Sequence, residues 1–208
     1  MIEASWTLFV IASIAIIATP GQDMILVMSR SIAQGAAAGV ATAAGVSSGL
    51  LLHTVLATFG VGAIVQTSAL LFVLMKLAGA AYLIYLGVSL LRVKSAAIVT
   101  EAGSGRSIPK LWWDGAFSNL ANPKVAIFYF AFLPQFVTTN AVNPSLTIFA
   151  LGAAFALITF LIKGPIGFCA GQLSQWLQHN PIYLQATYRL SGLVLIGLGI
   201  KLVFEKQH

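Results

Sequence analysis

Long apolar stretches alternate with short polar ones along the whole chain. A membrane-spanning helix needs about 20 mostly apolar residues, and six stretches reach or approach that length. The predicted spans cover residues 6–28, 36–65, 69–91, 113–136, 146–168 and 188–204. The pattern predicts an all-α integral membrane protein with about six transmembrane helices, and a five-helix version that loses one span stays open.

One polar segment divides the chain. Residues 93–111 contain glycine, serine, proline and several charged side chains, which is typical of a flexible loop. We predict that this segment links two halves, about 1–92 and 112–208, of a single transmembrane domain spanning 1–208. The apolar stretches leave no room for a soluble domain of any size.

The composition agrees with this interpretation. Hydrophobic residues make up 59% of the 208 residues and charged residues 8%, and the mean hydropathy is +0.94. Soluble domains carry about 25% charged residues, so too few charges are present to cover a water-facing surface. The net charge of +6 forms no dense basic stripe, and we expect the lipid bilayer as a partner but no nucleic acid. A single cysteine excludes an internal disulfide, and no cofactor is expected.

The basic residues predict an orientation. Cytoplasmic loops of membrane proteins are enriched in lysine and arginine. Alternation of the six spans puts most of the basic residues on one face, namely Arg30, Arg92, Lys94, Arg106, Lys110 and Arg189. This face is predicted to be cytoplasmic, with both termini outside the cytoplasm.

The two halves resemble each other. Ala18-Thr19-Pro20 in the first span matches Ala121-Asn122-Pro123 in the fourth, and Lys76-Leu77-Ala78-Gly79 matches Arg189-Leu190-Ser191-Gly192. Because three spans per half is an odd number, the halves must face opposite ways. We therefore predict two inverted three-helix repeats, an arrangement typical of secondary transporters.

Proline interrupts corresponding spans of the two halves. Pro20 and Gly21 interrupt the first, and Pro123 interrupts the fourth. Proline removes a backbone donor and clashes with the preceding turn, and the backbone groups released at such a break can bind a ligand. A simple kink is the alternative for one proline, whereas two matched positions favour a binding site.

Two charged residues accompany these breaks. Asp23 lies about one turn after Pro20, and Lys124 directly follows Pro123. A charge inside the bilayer is costly unless it is paired, hydrated or neutralised. We predict that Asp23 and Lys124 bind substrate or couple protons, and a purely structural Asp23–Lys124 ion pair stays an open alternative.

Other polar residues complete the candidate set. Asn119 and Asn122 lie about one turn apart and could bind substrate or tie helices together. His53 in the second span and Lys163 before Gly164-Pro165 in the fifth are further candidates. For His53 a hydrogen bond between helices is the simpler alternative, and at Lys163 the helix could instead end.

Several longer motifs are specific when taken together. They are Ala18-Thr19-Pro20-Gly21-Gln22-Asp23, Ser29-Arg30, Lys76-Leu77-Ala78-Gly79, Asn119-Leu120-Ala121-Asn122-Pro123-Lys124 and Phe132-Leu133-Pro134-Gln135-Phe136. In these motifs the chain resembles the lysine exporter and homoserine/threonine exporter (LysE/RhtB) family of bacterial amino-acid efflux proteins. The resemblance covers nearly the whole chain and is strongest at residues 119–124. Family members often have a second proline where this chain has Gln22, which affects the expected shape of the break.

The resemblance implies a function. It implies a multi-pass exporter in the bacterial inner membrane that moves small neutral amino acids, of the homoserine, threonine or leucine type, by proton antiport. Its partners would be the amino acid and protons, and a homo-oligomer stays open. The alternatives are export of another small solute or a cation, a non-transport intramembrane enzyme, and a structural membrane subunit.

Overall fold

The computed structural model describes residues 6–67, 69–93, 105–137 and 142–204, and its regular elements there are all helices. They comprise nine α-helices and one 3-10 turn within the described part. The helices are α1 Trp6–Ile17, α2 Gln22–Gln34, α3 Ala36–Thr67, α4 Ala69–Leu91, α5 Ile108–Leu120, α6 Pro123–Phe132, α7 Pro144–Phe168, α8 Ala170–His179 and α9 Pro181–Phe204, with the 3-10 turn at Leu133–Phe136.

The all-α membrane architecture is confirmed, but the count of six spans stays a prediction. Within the described residues, Ala36–Gly60, Pro144–Phe168 and Ile182–Phe204 are long and apolar enough to cross a membrane. The bent pair α1 and α2 makes a fourth candidate if its two helices form one span. Shorter apolar helices occupy Leu77–Leu91 and Val125–Phe136. The last helix begins at Pro181 and not near residue 188. Residues 94–104 of the predicted linker 93–111 lie outside the described residues.

The first predicted span is broken at its proline. The axes of α1 and α2 are bent by 54°. The amide of Thr19 still donates to the carbonyl of Ile16 at 3.1 Å, and the next helix resumes when Ile25 donates to Gly21 at 2.9 Å. Pro20 lies between the two helices, where it has no amide to donate, so the chain changes direction at this point.

The fourth predicted span is broken at the matching position. Helix α5 ends at Leu120, and α6 starts at Pro123. Proline is favoured in the first turn of a helix, because its missing amide has no partner there in any case. The carbonyl of Asn122 accepts from Val125 at 3.0 Å, so Asn122 lies at the start of the new helix.

Glycines allow α3 and α5 to approach until their backbones touch. A Cβ atom added to Gly45 would lie 1.9 Å from the carbonyl oxygen of Trp112, and one added to Gly49 would lie 2.8 Å from that of Ala116. Small residues at this spacing permit close helix contact in membranes. This contact holds α5, and with it the second break, at a fixed position against α3.

Two further helix pairs pack closely and run antiparallel. In α4 and α9, a Cβ added to Gly87 would lie 2.6 Å from the carbonyl oxygen of Gly192, and one added to Gly199 would lie 2.9 Å from that of Ala80. The numbering rises along one helix as it falls along the other. The equivalent contacts between α3 and α7 are Gly39–Gly167 and Thr54–Gly152.

An aromatic cluster joins α1, α6 and α7. Phe9 contacts Phe132 at 5.8 Å between ring centroids, and Phe132 contacts Phe155 at 5.7 Å. The hydroxyl of the buried Tyr129 donates to the carbonyl of Gly152 at 3.1 Å. These contacts fix the helices around the two breaks.

We expect Gly45→Ala to destabilise the protein by about 3 kcal/mol or more, because its new Cβ would overlap backbone that has no room to move. Unfolding by SDS titration in mixed micelles measures this loss. Gly197→Ala is the matched control, since no atom lies within 4 Å of its added Cβ and alanine favours the helix. Equal stability of the two variants would contradict the close α3–α5 contact.

Candidate functional site

A cavity of about 380 Å³ lies where the two helix breaks meet. It is lined by both breaks and by parts of α3, α4, α7 and α9. Its polar lining residues are Thr19, Gln22, Asp23, Ser89, Asn122, Thr159 and Lys163. Polar groups of this number inside an apolar bundle mark a candidate binding site.

Asp23 is the acidic residue of this cavity. It lies in the first turn of α2 and is buried. Its Oδ2 atom accepts a hydrogen bond from Nδ2 of Asn119 at 2.7 Å and lies 3.5 Å from Nζ of Lys163. Its Oδ1 atom has no hydrogen-bond partner among the described residues. Oδ2 therefore links α2 to α5 and α7, whereas Oδ1 accepts no hydrogen bond from a described residue.

Asn119 connects Asp23 to α3. It is fully buried in the last turn of α5. Its side-chain amide donates to Asp23, and its backbone carbonyl lies 3.3 Å from Nε2 of His53. His53 therefore makes a contact between helices, which is the simpler of the two roles considered for it, and it does not line the cavity.

Lys163 supplies the positive charge. The helix does not end there, because α7 continues through Pro165 to Phe168. The side chain is buried, and the ammonium forms an ion pair with Asp23. A contact chain thus runs from Lys163 through Asp23 and Asn119 to His53, joining α7, α2, α5 and α3.

Stability alone does not account for this ion pair. Two charges 3.5 Å apart attract each other by roughly 5 kcal/mol at an effective dielectric constant of 20. Burial removes the hydration of both ions at a cost of several kcal/mol each. Since the attraction and the cost of burial are of similar size, a well-packed pair of apolar side chains would stabilise the fold about equally well.

The predicted residues around the breaks come together. Nδ2 of Asn122 donates to Oε1 of Gln22 at 3.3 Å, which links the second break directly to the first. Pro20 and Gly21 line the same cavity, and Pro123 begins α6 directly after Asn122. Lys124 follows in the first turn of α6, but its side chain lies outside the described residues, so its role stays a prediction.

Some polar contacts of the site were not predicted from the sequence. The hydroxyl of Thr19 bonds to that of Ser191 in α9, and Ser191 also donates to the carbonyl of Ala15 at 2.5 Å. Thr159 lines the cavity one turn before Lys163. Its spacing of four residues from Lys163 was the available signal, because such residues share a helix face.

A bundle of apolar helices around a charged cavity, with two helices broken at that cavity, is the arrangement of a membrane transporter. The chain belongs to the LysE type translocator family, whose model matches residues 14–206. This confirms the family predicted from the sequence motifs. The protein is a transporter and not an enzyme.

Curated relatives cover most of the chain. The uncharacterized membrane protein YrhP of Bacillus subtilis is 32% identical over 193 residues, which are 88% of this chain and 90% of the relative. The homoserine/homoserine lactone efflux proteins of Salmonella typhimurium and Salmonella typhi are 30% and 29% identical, each over 93% of both chains. No solved structure gives a significant match. Family and relatives together define an efflux transporter in a membrane.

We expect Asp23→Asn to destabilise the protein by about 3 kcal/mol, because it leaves the buried ammonium of Lys163 without its counter-charge. The double variant Asp23→Asn/Lys163→Met should recover most of that loss, since both buried charges are then absent. SDS titration of the two single variants and the double variant gives the coupling energy.

Asp114→Asn is the matched control, because Asp114 pairs with Arg106 through side chains that are 25% and 34% exposed. Breaking a pair of that exposure should cost less than about 1 kcal/mol. Strictly additive losses at Asp23 and Lys163 would contradict a direct interaction between them.

Proposed function

We propose that the protein exports small neutral amino acids, of the homoserine, threonine or leucine type, across the bacterial inner membrane in exchange for protons. The observation that carries the proposal is the buried Asp23–Lys163 pair in a cavity between two helix breaks. A zwitterion carries the same two charges as this pair and finds a partner for each of them there.

The amino group of the substrate binds at Asp23. Oδ1 of Asp23 is buried and has no described hydrogen-bond partner, so a substrate ammonium that reaches it would satisfy this acceptor while Oδ2 keeps its contacts with Asn119 and Lys163. Charge-assisted hydrogen bonds of this kind are about twice as strong as neutral ones. Asp23 is thus the residue that selects for a protonated amine.

The substrate carboxylate binds at the second break. The first turn of α6 carries the positive end of the helix dipole, which stabilises an anion. Lys124 lies in that turn, and Lys163 faces the same cavity. The side-chain amides of Gln22 and Asn122 lie in the wall of the same cavity.

The names of two relatives fit separate binding sites for the amino group and for the carboxylate. They are efflux proteins for homoserine and for homoserine lactone. A lactone has no free carboxylate, so the amino group is the charged group that both compounds share. Recognition centred on Asp23 accommodates both compounds, whereas recognition centred on the cations would not.

Proton coupling follows from the same carboxylate. A proton from outside neutralises Asp23 and releases the ammonium of the substrate, and the proton leaves toward the cytoplasm when the next substrate binds. Alternating access would occur between the two inverted halves. The matched breaks and the antiparallel pairs α3–α7 and α4–α9 support such a relationship.

The proposed orientation follows from the basic residues. The face with Arg30, Arg92 and Arg189 is cytoplasmic, and both termini lie outside. In this orientation α2 and α5 have their charged ends on the cytoplasmic side, where the amino acid enters.

In cells preloaded with a radiolabelled amino-acid panel, we expect the protein to accelerate efflux of neutral amino acids, and a protonophore to abolish the acceleration. Asp23→Asn and Lys124→Ala should reduce efflux to the rate of cells without the protein, at matched membrane expression. Asp114→Asn should export normally. Full proton-coupled export by Asp23→Asn would contradict the assignment, and a well-expressed protein that accelerates no amino acid would favour another small solute or a cation.

The double variant Asp23→Asn/Lys163→Met separates transport from stability. If Asp23 binds substrate and protons, this variant folds but exports nothing. If the pair is only structural, the variant both folds and exports. Efflux and SDS titration of the same preparation distinguish these outcomes.

A further inference from the structure

Arg30 is a buried cation outside the transport cavity. It lies one turn before the end of α2 and is 8% exposed. Its Nε atom has no hydrogen-bond partner, and its guanidinium forms no ion pair with any described residue. A buried charge without a counter-charge is unfavourable, so an anion beside this side chain would stabilise it.

Arg30 lines a groove of about 460 Å³ between α2 and α5. The other lining residues are Leu26, Trp113, Asp114, Phe117 and Ser118. Trp113 and Phe117 are 64% and 70% exposed, and in a membrane such apolar side chains contact lipid. The groove therefore combines an apolar rim toward the bilayer with a buried charge at its base.

The charges of the groove do not cancel. Asp114 already forms an ion pair with Arg106. No described carboxylate is therefore left to pair with Arg30, and its charge is in excess among the described residues. Ser118 adds a hydroxyl to the wall, which is a suitable donor for an anion.

We propose that this groove binds an anionic phospholipid, with the lipid phosphate on Arg30 and the acyl chains along Trp113 and Phe117. The planar guanidinium matches a phosphate with two parallel hydrogen bonds. A lipid is favoured over a soluble anion because the exposed rim is apolar, and tryptophan is enriched where membrane proteins meet the headgroups. None of the groove residues lines the transport cavity.

Native mass spectrometry of the purified full chain tests this assignment with phosphatidylglycerol and phosphatidylcholine of equal chain length. We expect the protein to retain phosphatidylglycerol about tenfold or more over phosphatidylcholine, because the quaternary ammonium of choline neutralises the headgroup charge and is repelled by Arg30, whereas phosphatidylglycerol offers a phosphate with a net negative charge. Arg30→Gln should lower retention to that of phosphatidylcholine, and Arg30→Lys should lie in between. Arg189→Gln is the matched control, since it removes an exposed arginine and should retain phosphatidylglycerol normally.

A competition arm separates a lipid from a soluble anion. Inorganic phosphate in large excess should leave phosphatidylglycerol bound, and full displacement by it would overturn the lipid assignment. Unchanged retention by Arg30→Gln, or no preference in the wild-type protein, would overturn the site itself. If Arg30→Gln does not fold, Ser118→Phe fills the groove while keeping Arg30, and it should lose the same lipid.

Discussion

A carboxylate or an ammonium inside a helix bundle loses its hydration, and this loss costs several kcal/mol per ion. The rest of the site depends on that cost. Asp23 and Lys163 lie within ion-pair distance, and Asn119 donates a further hydrogen bond to the same carboxylate. Polar side chains beside the breaks at Pro20 and Pro123, among them Gln22 and Asn122, line the cavity together with this pair. A site already complementary to one positive and one negative charge is also complementary to a zwitterion.

Rigid neighbours make the broken helices possible. A helix interrupted in mid-bundle loses backbone hydrogen bonds, and surrounding helices must hold its two parts in place. Contact through Gly45 fixes α5 against α3, and the Gly87–Gly192 contact fixes α4 against α9. Each of these contacts joins a helix of the first half to a helix of the second, so we expect each pair to move as one unit during transport.

The local features of the site could be predicted from the sequence, but the partner of its acid could not. The prolines predicted both breaks, because the loss of an amide acts on the neighbouring turn. The same sequence left Asp23 with Lys124 as its expected partner, whereas the structure pairs it with Lys163, 140 residues away along the chain. Such a contact depends on how α2 and α7 pack, which apolar periodicity does not specify. The start of the last helix at Pro181 was also missed, because its first turns are too polar to resemble a span.

The most direct test asks whether an amino acid enters the cavity between the breaks. Gln22→Cys in a Cys169→Ser background places one thiol on the cavity wall, because Cys169 is the single cysteine of the chain. The rate of labelling by a small thiol reagent is then measured in membranes with and without homoserine, threonine or leucine. We expect a transported amino acid to slow labelling in proportion to its occupancy of the cavity. An unchanged rate at saturating concentrations of an amino acid that this variant still exports would contradict this expectation.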